Sequence, residues 1–185
     1  MTLLSTERLH TGRMLNLDLD TVRFPDGSTG TLEMVRHPGA AAVVPFLDDP
    51  ATAADPRIVL IRQFRHAADG YIWEIPAGKL DAGEREAPER CARRELTEET
   101  GYVAGRLERL TTIWTTPGFT DEVIHLYAAY ELALSDGGHA RESDEYMEIH
   151  ETPWSEAMAM ARGGAIRDGK TLIALLFVQG FMKTS

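Results

Sequence analysis

The chain has 185 residues, 29 acidic against 19 basic side chains, a formal net charge of −10 and one cysteine. Its length suits one domain with at most a small appendage, and 43% hydrophobic residues are enough for a real core, which excludes wholesale disorder. The lone cysteine excludes an internal disulfide framework and a multi-cysteine zinc site, and the acidic balance argues against a nucleic-acid track, which needs a basic footprint.

The N-terminal residues show no basic-then-apolar leader pattern, and the apolar runs 39–47 and 172–178 are too short to span a bilayer. A soluble cytoplasmic protein with no membrane partner is expected. Residues 15–24 alternate as a strand does, Pro25-Asp26-Gly27 makes a turn, and 29–36 returns, so the N-terminus reads as a small β-hairpin unit. Two buried strands follow at 40–47 and 57–65, then a short strand at 71–76 that runs into a glycine-containing loop, 77–83. A helix is expected at 87–100, with Pro88 suited to its first turn and Gly101 to its stop. Strands at 110–116, 122–134 and 145–150 and helices at 154–162 and 170–183 complete the chain. The intermixing of strands and helices points to an α/β domain with helices covering a mixed sheet.

The acids are unevenly spread. Residues 81–99 hold seven and 142–151 hold five. Such runs are usually solvated polar segments, but a divalent-cation site assembled from distant parts of the chain would look the same. On the helix, Glu95, Glu98 and Glu99 stand at i, i+3 and i+4 and share one face. Like charges at i, i+4 cost roughly 0.2–0.5 kcal/mol, so a chain that keeps three together either tolerates a small surface penalty or uses them. Carboxylates suit Mg²⁺ or Mn²⁺, which also take phosphate oxygens. Cys91 lies one turn before Glu95 and reads as a packing residue, and the six histidines show no zinc spacing. Trp114 and Trp154 read as core.

The flanking residues are more specific. Gly78-Lys-Leu-Asp-Ala-Gly-Glu84-Arg-Glu86 is followed, after seven residues, by Arg94-Glu95-Leu96-Thr97-Glu98-Glu99-Thr100-Gly101-Tyr102. This resembles the Nudix box, a loop–helix motif whose helix glutamates bind Mg²⁺. The resemblance implies an α/β/α sandwich with a mixed sheet. It also implies an enzyme that hydrolyses a nucleoside diphosphate linked to another group. Metal ligands would be Glu95, Glu98, Glu99 and the carbonyl of Ala77. The loop carries two extra residues. Counted from Gly78 the box glutamate is Glu84; counted back from Arg94 it is Glu86, and the preserved spacing into the helix favours Glu86 as the brace of Arg94.

Arg36-His37-Pro38-Gly39, Gln63-Phe64-Arg65, Glu74-Ile75-Pro76-Ala77-Gly78 and Thr116-Pro117-Gly118-Phe119 are similar to the ADP-ribose pyrophosphatase branch, with Pro117 sixteen residues after Gly101 as that branch's marker. In this branch the N-terminal β-unit, here residues 1–38, exchanges within a homodimer, and 39–185 form the hydrolase domain. The resemblance implies that Arg65 contacts the diphosphate, that Arg36 approaches the nucleotide, that Glu74 contacts substrate or metal, and that Pro117 and Gly118 shape the substrate loop. Glu145 matches the general base best, with Glu142 as the alternative. Relatives that stack adenine carry aromatics where this chain has Met14 and Thr31, so GDP-mannose or UDP-sugar hydrolysis stays open beside ADP-ribose. A non-catalytic nucleotide-sugar sensor is the different-class alternative; the intact glutamates argue against it.

Overall fold

The computed structural model describes residues 1–13, 15–81, 86–135 and 147–182. Three antiparallel strands open the chain: β1 (Thr2–Thr11), β2 (Asn16–Arg23) and β3 (Thr29–Arg36), in the order β1-β2-β3. Gly27 sits at φ +88°, a conformation costly to residues with a Cβ, and its N–H donates to the Phe24 carbonyl at 3.0 Å to close the β2–β3 turn. The expected hairpin is therefore three strands rather than two. The missed strand, β1, is exposed at all ten positions, so it has no buried face to impose an apolar register.

The strands β4 (Ala40–Pro45), β5 (Arg57–Arg65), β6 (Gly70–Glu74) and β7 (Ala77–Lys79) precede the helix α1 (Pro88–Thr100). The strands β8 (Tyr102–Trp114), β9 (Val123–Leu134) and β10 (Met147–Pro153) follow, then the helices α2 (Trp154–Arg162) and α3 (Gly169–Phe181). One sheet runs β7-β4-β9-β8, with β4 and β9 parallel and the other pairs antiparallel; a second runs β10-β5-β6. A bridge between Phe46 and Ile58 joins them.

All six residues of β4 are buried, which explains its unbroken apolar sequence. Ala40, Ala42 and Val44 face a core with Ala157 of α2 and Ala174 and Leu175 of α3. Ala41 and Val43 face the opposite way, against Cys91, Ala92 and Leu96 of α1. Helices thus cover both faces of the sheet, and the α/β/α expectation holds. Complete burial of a side chain such as Leu96 stabilises the fold by roughly 1.5–3 kcal/mol. No helix among the described residues is long and apolar enough to cross a membrane.

The N-terminal sheet is tied to the rest through β3. Val35 donates its N–H to the Phe119 carbonyl at 2.8 Å, Asp121 donates to the Val35 carbonyl at 3.3 Å, and His37 N–H reaches the Asp121 carboxylate at 2.8 Å. The turn containing Pro117 and Gly118 is therefore held beside β3.

Candidate active site

The helix α1 starts at Pro88, whose missing N–H costs nothing in a first turn, and stops at Gly101 with φ +76°, its N–H donating to the Thr97 carbonyl. Between these ends Cys91, Ala92, Leu96, Glu99 and Thr100 are buried. This stripe fixes the helix rotation, and the acids lie at its margin. Glu99 is almost fully buried, the Glu95 side chain nearly so, and Glu98 is open to solvent. Burial also pushes the Cys91 thiol up to about 12, which suits packing and not nucleophilic work.

Arg94 holds this wall together. Its Nε and Nη2 fork onto Glu86 Oε1 and Oε2 at 3.1 and 3.0 Å, and its Nη1 donates to Glu95 at 2.6 Å and Glu98 at 3.0 Å. Nη2 also meets the Lys79 carbonyl at 3.1 Å, which fastens the helix to β7. Glu86 is the residue that braces Arg94; Glu84 lies outside the described residues. The Arg94 hydrogen bonds hold the Glu86 carboxyl below its ordinary pKa, and the same contacts raise that of Arg94.

The opposite wall comes from β5, β6 and the start of α3. Arg65 donates from Nε to Glu74 Oε2 at 2.9 Å and from Nη2 to Glu74 Oε1 at 3.3 Å. Glu74 is 2% exposed and anchors Arg65 through both of its carboxylate oxygens. Lys170 Nζ meets Glu74 Oε1 at 2.5 Å and Asp168 Oδ2 at 3.1 Å.

Between the walls lies an open cleft of about 1110 Å³. Arg65, Ala77, Arg94, Glu95, Glu98 and Glu99 all line it, so six of the sequence-derived candidates converge there, with Glu86 and Glu74 behind the two arginines. Arg36, Pro117 and Gly118 are not among the lining residues. Arg36 is instead bound to Asp18 at 3.0 Å, Asp20 at 2.5 Å and Asp121 at 3.4 Å, and these carboxylates, Asp18 foremost, raise its pKa. Glu142 and Glu145 fall outside the described residues.

A match to the NUDIX domain model spans residues 36–175. The chain belongs to the Nudix family. An ADP-ribose pyrophosphatase of Bacillus subtilis (strain 168) is 36% identical, covering 95% of this chain and 91% of that protein. A methanol dehydrogenase activator of Bacillus methanolicus is 40% identical over the same shares. A crystal structure of an ADP compounds hydrolase superposes with a TM-score of 0.82 over 98% of this chain and 93% of that one, at 22% identity, a likeness of fold.

Nudix hydrolases generally use divalent metals, and the residues of this chain fit one. Ala77 N–H donates to Glu99 Oε2 at 2.9 Å, and a Cβ at Gly78 would run into the Glu95 carboxylate. Two carboxylates are thus pressed against the Ala77–Gly78 backbone at a place that only glycine leaves open. An all-oxygen donor set of this kind suits a hard cation. Among the described residues no three acidic, histidine or cysteine side chains already surround one point; Glu95 and Glu98 are turned to Arg94.

Several residues of the Nudix cleft were not among the sequence candidates. Lys170 and Asp168 belong to it, and Asp168 caps α3 by accepting from Thr171 N–H at 3.0 Å. An aspartate just before an apolar helix is a readable cap signal, although its link to the cleft is not. Gln63 lines the cleft with its Oε1 buried and, among the described residues, without a hydrogen-bond partner. Trp114, expected in the core, is 60% exposed on the cleft rim at the end of β8. Trp154 does pack on the core, stacked against Phe46.

Proposed function

We propose that this protein is a cytoplasmic, homodimeric diphosphatase that uses Mg²⁺, with Mn²⁺ able to replace it, to hydrolyse ADP-ribose to AMP and ribose 5-phosphate. The observation that carries the reading is the meeting, in one cleft, of a carboxylate-lined backbone pocket with an arginine whose guanidinium is, among the described residues, only half engaged. Glu95, Glu98, Glu99 and the Ala77 carbonyl would hold the metal, which supplies charge neutralisation of the phosphoryl oxygens and a more acidic attacking water. Glu74 takes the Nε/Nη2 edge of Arg65, which leaves Nη1 and the second Nη2 hydrogen for a diphosphate oxygen. Glu145, or Glu142 in its place, takes the proton of the water as it adds to phosphorus and the P–O–P bond breaks. Arg94, locked by Glu86, bridges Glu95 and Glu98 through its Nη1.

The sugar nucleotide named for the Bacillus subtilis relative supports ADP-ribose as the first substrate to try. Thr31 supports a second reading: β3 offers no aromatic there to clamp adenine, and Met14, the other position, lies outside the described residues. GDP-mannose or a UDP-sugar would then compete. The exposed β1, with Leu3, Leu4 and Leu9 open to solvent, supports exchange of residues 1–38 with a second copy. A panel of ADP-ribose, GDP-mannose and UDP-glucose with Mg²⁺, read by chromatography of the nucleotide product, tests the proposal. AMP from ADP-ribose at the highest kcat/KM is the expected result; GMP or UMP release dominating would favour the second reading, and no turnover at all would sink both.

A further inference from the structure

We propose that Lys170 is a positioning residue for substrate binding, holding Glu74 so that the open edge of Arg65 faces the diphosphate. The inference rests on the diphosphatase reading above and deepens it. Glu74 is a carboxylate with almost no access to water, and a buried carboxylate must be fully paired. It has two cations to choose from. Arg65 approaches from the cleft side with 43% of its side chain exposed, and Lys170 approaches from α3 with 12% exposed. Lys170 makes the shorter contact, 2.5 Å against 2.9 and 3.3 Å for the two arginine nitrogens. The buried charge therefore leans on the lysine, and the arginine needs to give only one edge of its fork.

The four groups Arg65, Glu74, Lys170 and Asp168 sum to zero charge. Losing Lys170 would leave them at −1 on the wall that has to accept an anion, with Glu74 drawing on Arg65 alone. Lys170 is also fixed independently of any ligand. Asp168 binds its Nζ, caps the helix at Thr171 and accepts from Thr171 Oγ1 at 2.6 Å, while the same Thr171 Oγ1 accepts from Ile75 N–H at 2.9 Å. The start of α3 is thereby stitched to the residue that follows Glu74. Sequence spacing gives no hint of this, because Lys170 lies 96 residues beyond Glu74.

Titration calorimetry with ADP in the presence of Mg²⁺, on the full-length protein, tests the inference without depending on turnover. Lys170→Met should weaken ADP binding roughly 10- to 100-fold and raise KM for a nucleotide sugar more than it lowers kcat. Lys170→Met binding ADP as tightly as the wild type overturns the inference. Because an unpaired buried Glu74 could also unfold the variant, the second comparison is made in Glu74→Gln, where no charge needs holding. There, adding Lys170→Met should change ADP affinity by less than about threefold. A further tenfold loss in that background would mean that Lys170 acts other than through Glu74 and would overturn the inference. The two readings fail separately. Wild type that binds ADP but hydrolyses no nucleotide sugar contradicts the function alone, whereas turnover with an unaltered ADP affinity in Lys170→Met contradicts only the role of the lysine.

Discussion

The two walls of the cleft handle charge in opposite ways. On α1, Glu95, Glu98 and Glu99 bring three carboxylates to the cleft, and Arg94 is committed to Glu86 on one edge and to Glu95 and Glu98 on the other. On the β5–β6–α3 wall, the buried Glu74 and the partly buried Asp168 are matched by Arg65 and Lys170, and among the described residues one edge of Arg65 is left over. The first wall gathers carboxylates and, among the described residues, the second has a donor edge to spare. An anionic substrate arriving with a divalent metal satisfies both at once, which reconciles a chain of net charge −10 with a diphosphate ligand.

The sharpest way to break this contrast is on the acidic wall. Glu99→Gln keeps the shape and the acceptor for Ala77 N–H but removes a charge where metal is needed; kcat with ADP-ribose should fall at least about 100-fold, with metal affinity falling alongside. Full activity in this variant would remove Glu99 from the metal set.

A smaller effect concerns the brace. Arg94 holds the Glu86 carboxyl below its ordinary value of 4.5. A depressed folded pKa means that the pair's stabilisation is complete above pH 4.5 and is lost as pH falls through the lower folded value. Glu86→Gln should therefore cost about 1–3 kcal/mol at neutral pH and flatten the acid limb of stability against pH. Chemical denaturation between pH 3 and 7 reads both, and an unchanged acid limb would assign acid sensitivity to other groups.

Much of the acidic wall was legible because it is local. The box helix, its proline start and its glycine stop lie within fifteen residues, and the helical period alone brings the three glutamates together. The basic wall was half legible: Arg65 and Glu74 follow from the resemblance, but Lys170 joins them only through packing of α3 on β6. The same distinction holds for the fold. Trp154–Arg162 was read to the residue because its ends are signalled locally. The strand β8 was read eight residues short, since the register shift between Arg109 and Thr111 breaks its alternation. Trp114 ends that strand, and an apolar residue on a strand gives no sign of which end opens into a cleft.

The account stands or falls on metal-dependent cleavage between the two walls. Purified protein stripped with EDTA should form no AMP from ADP-ribose and should regain turnover on addition of Mg²⁺, more slowly in Glu99→Gln. AMP formation that persists undiminished in EDTA would contradict it.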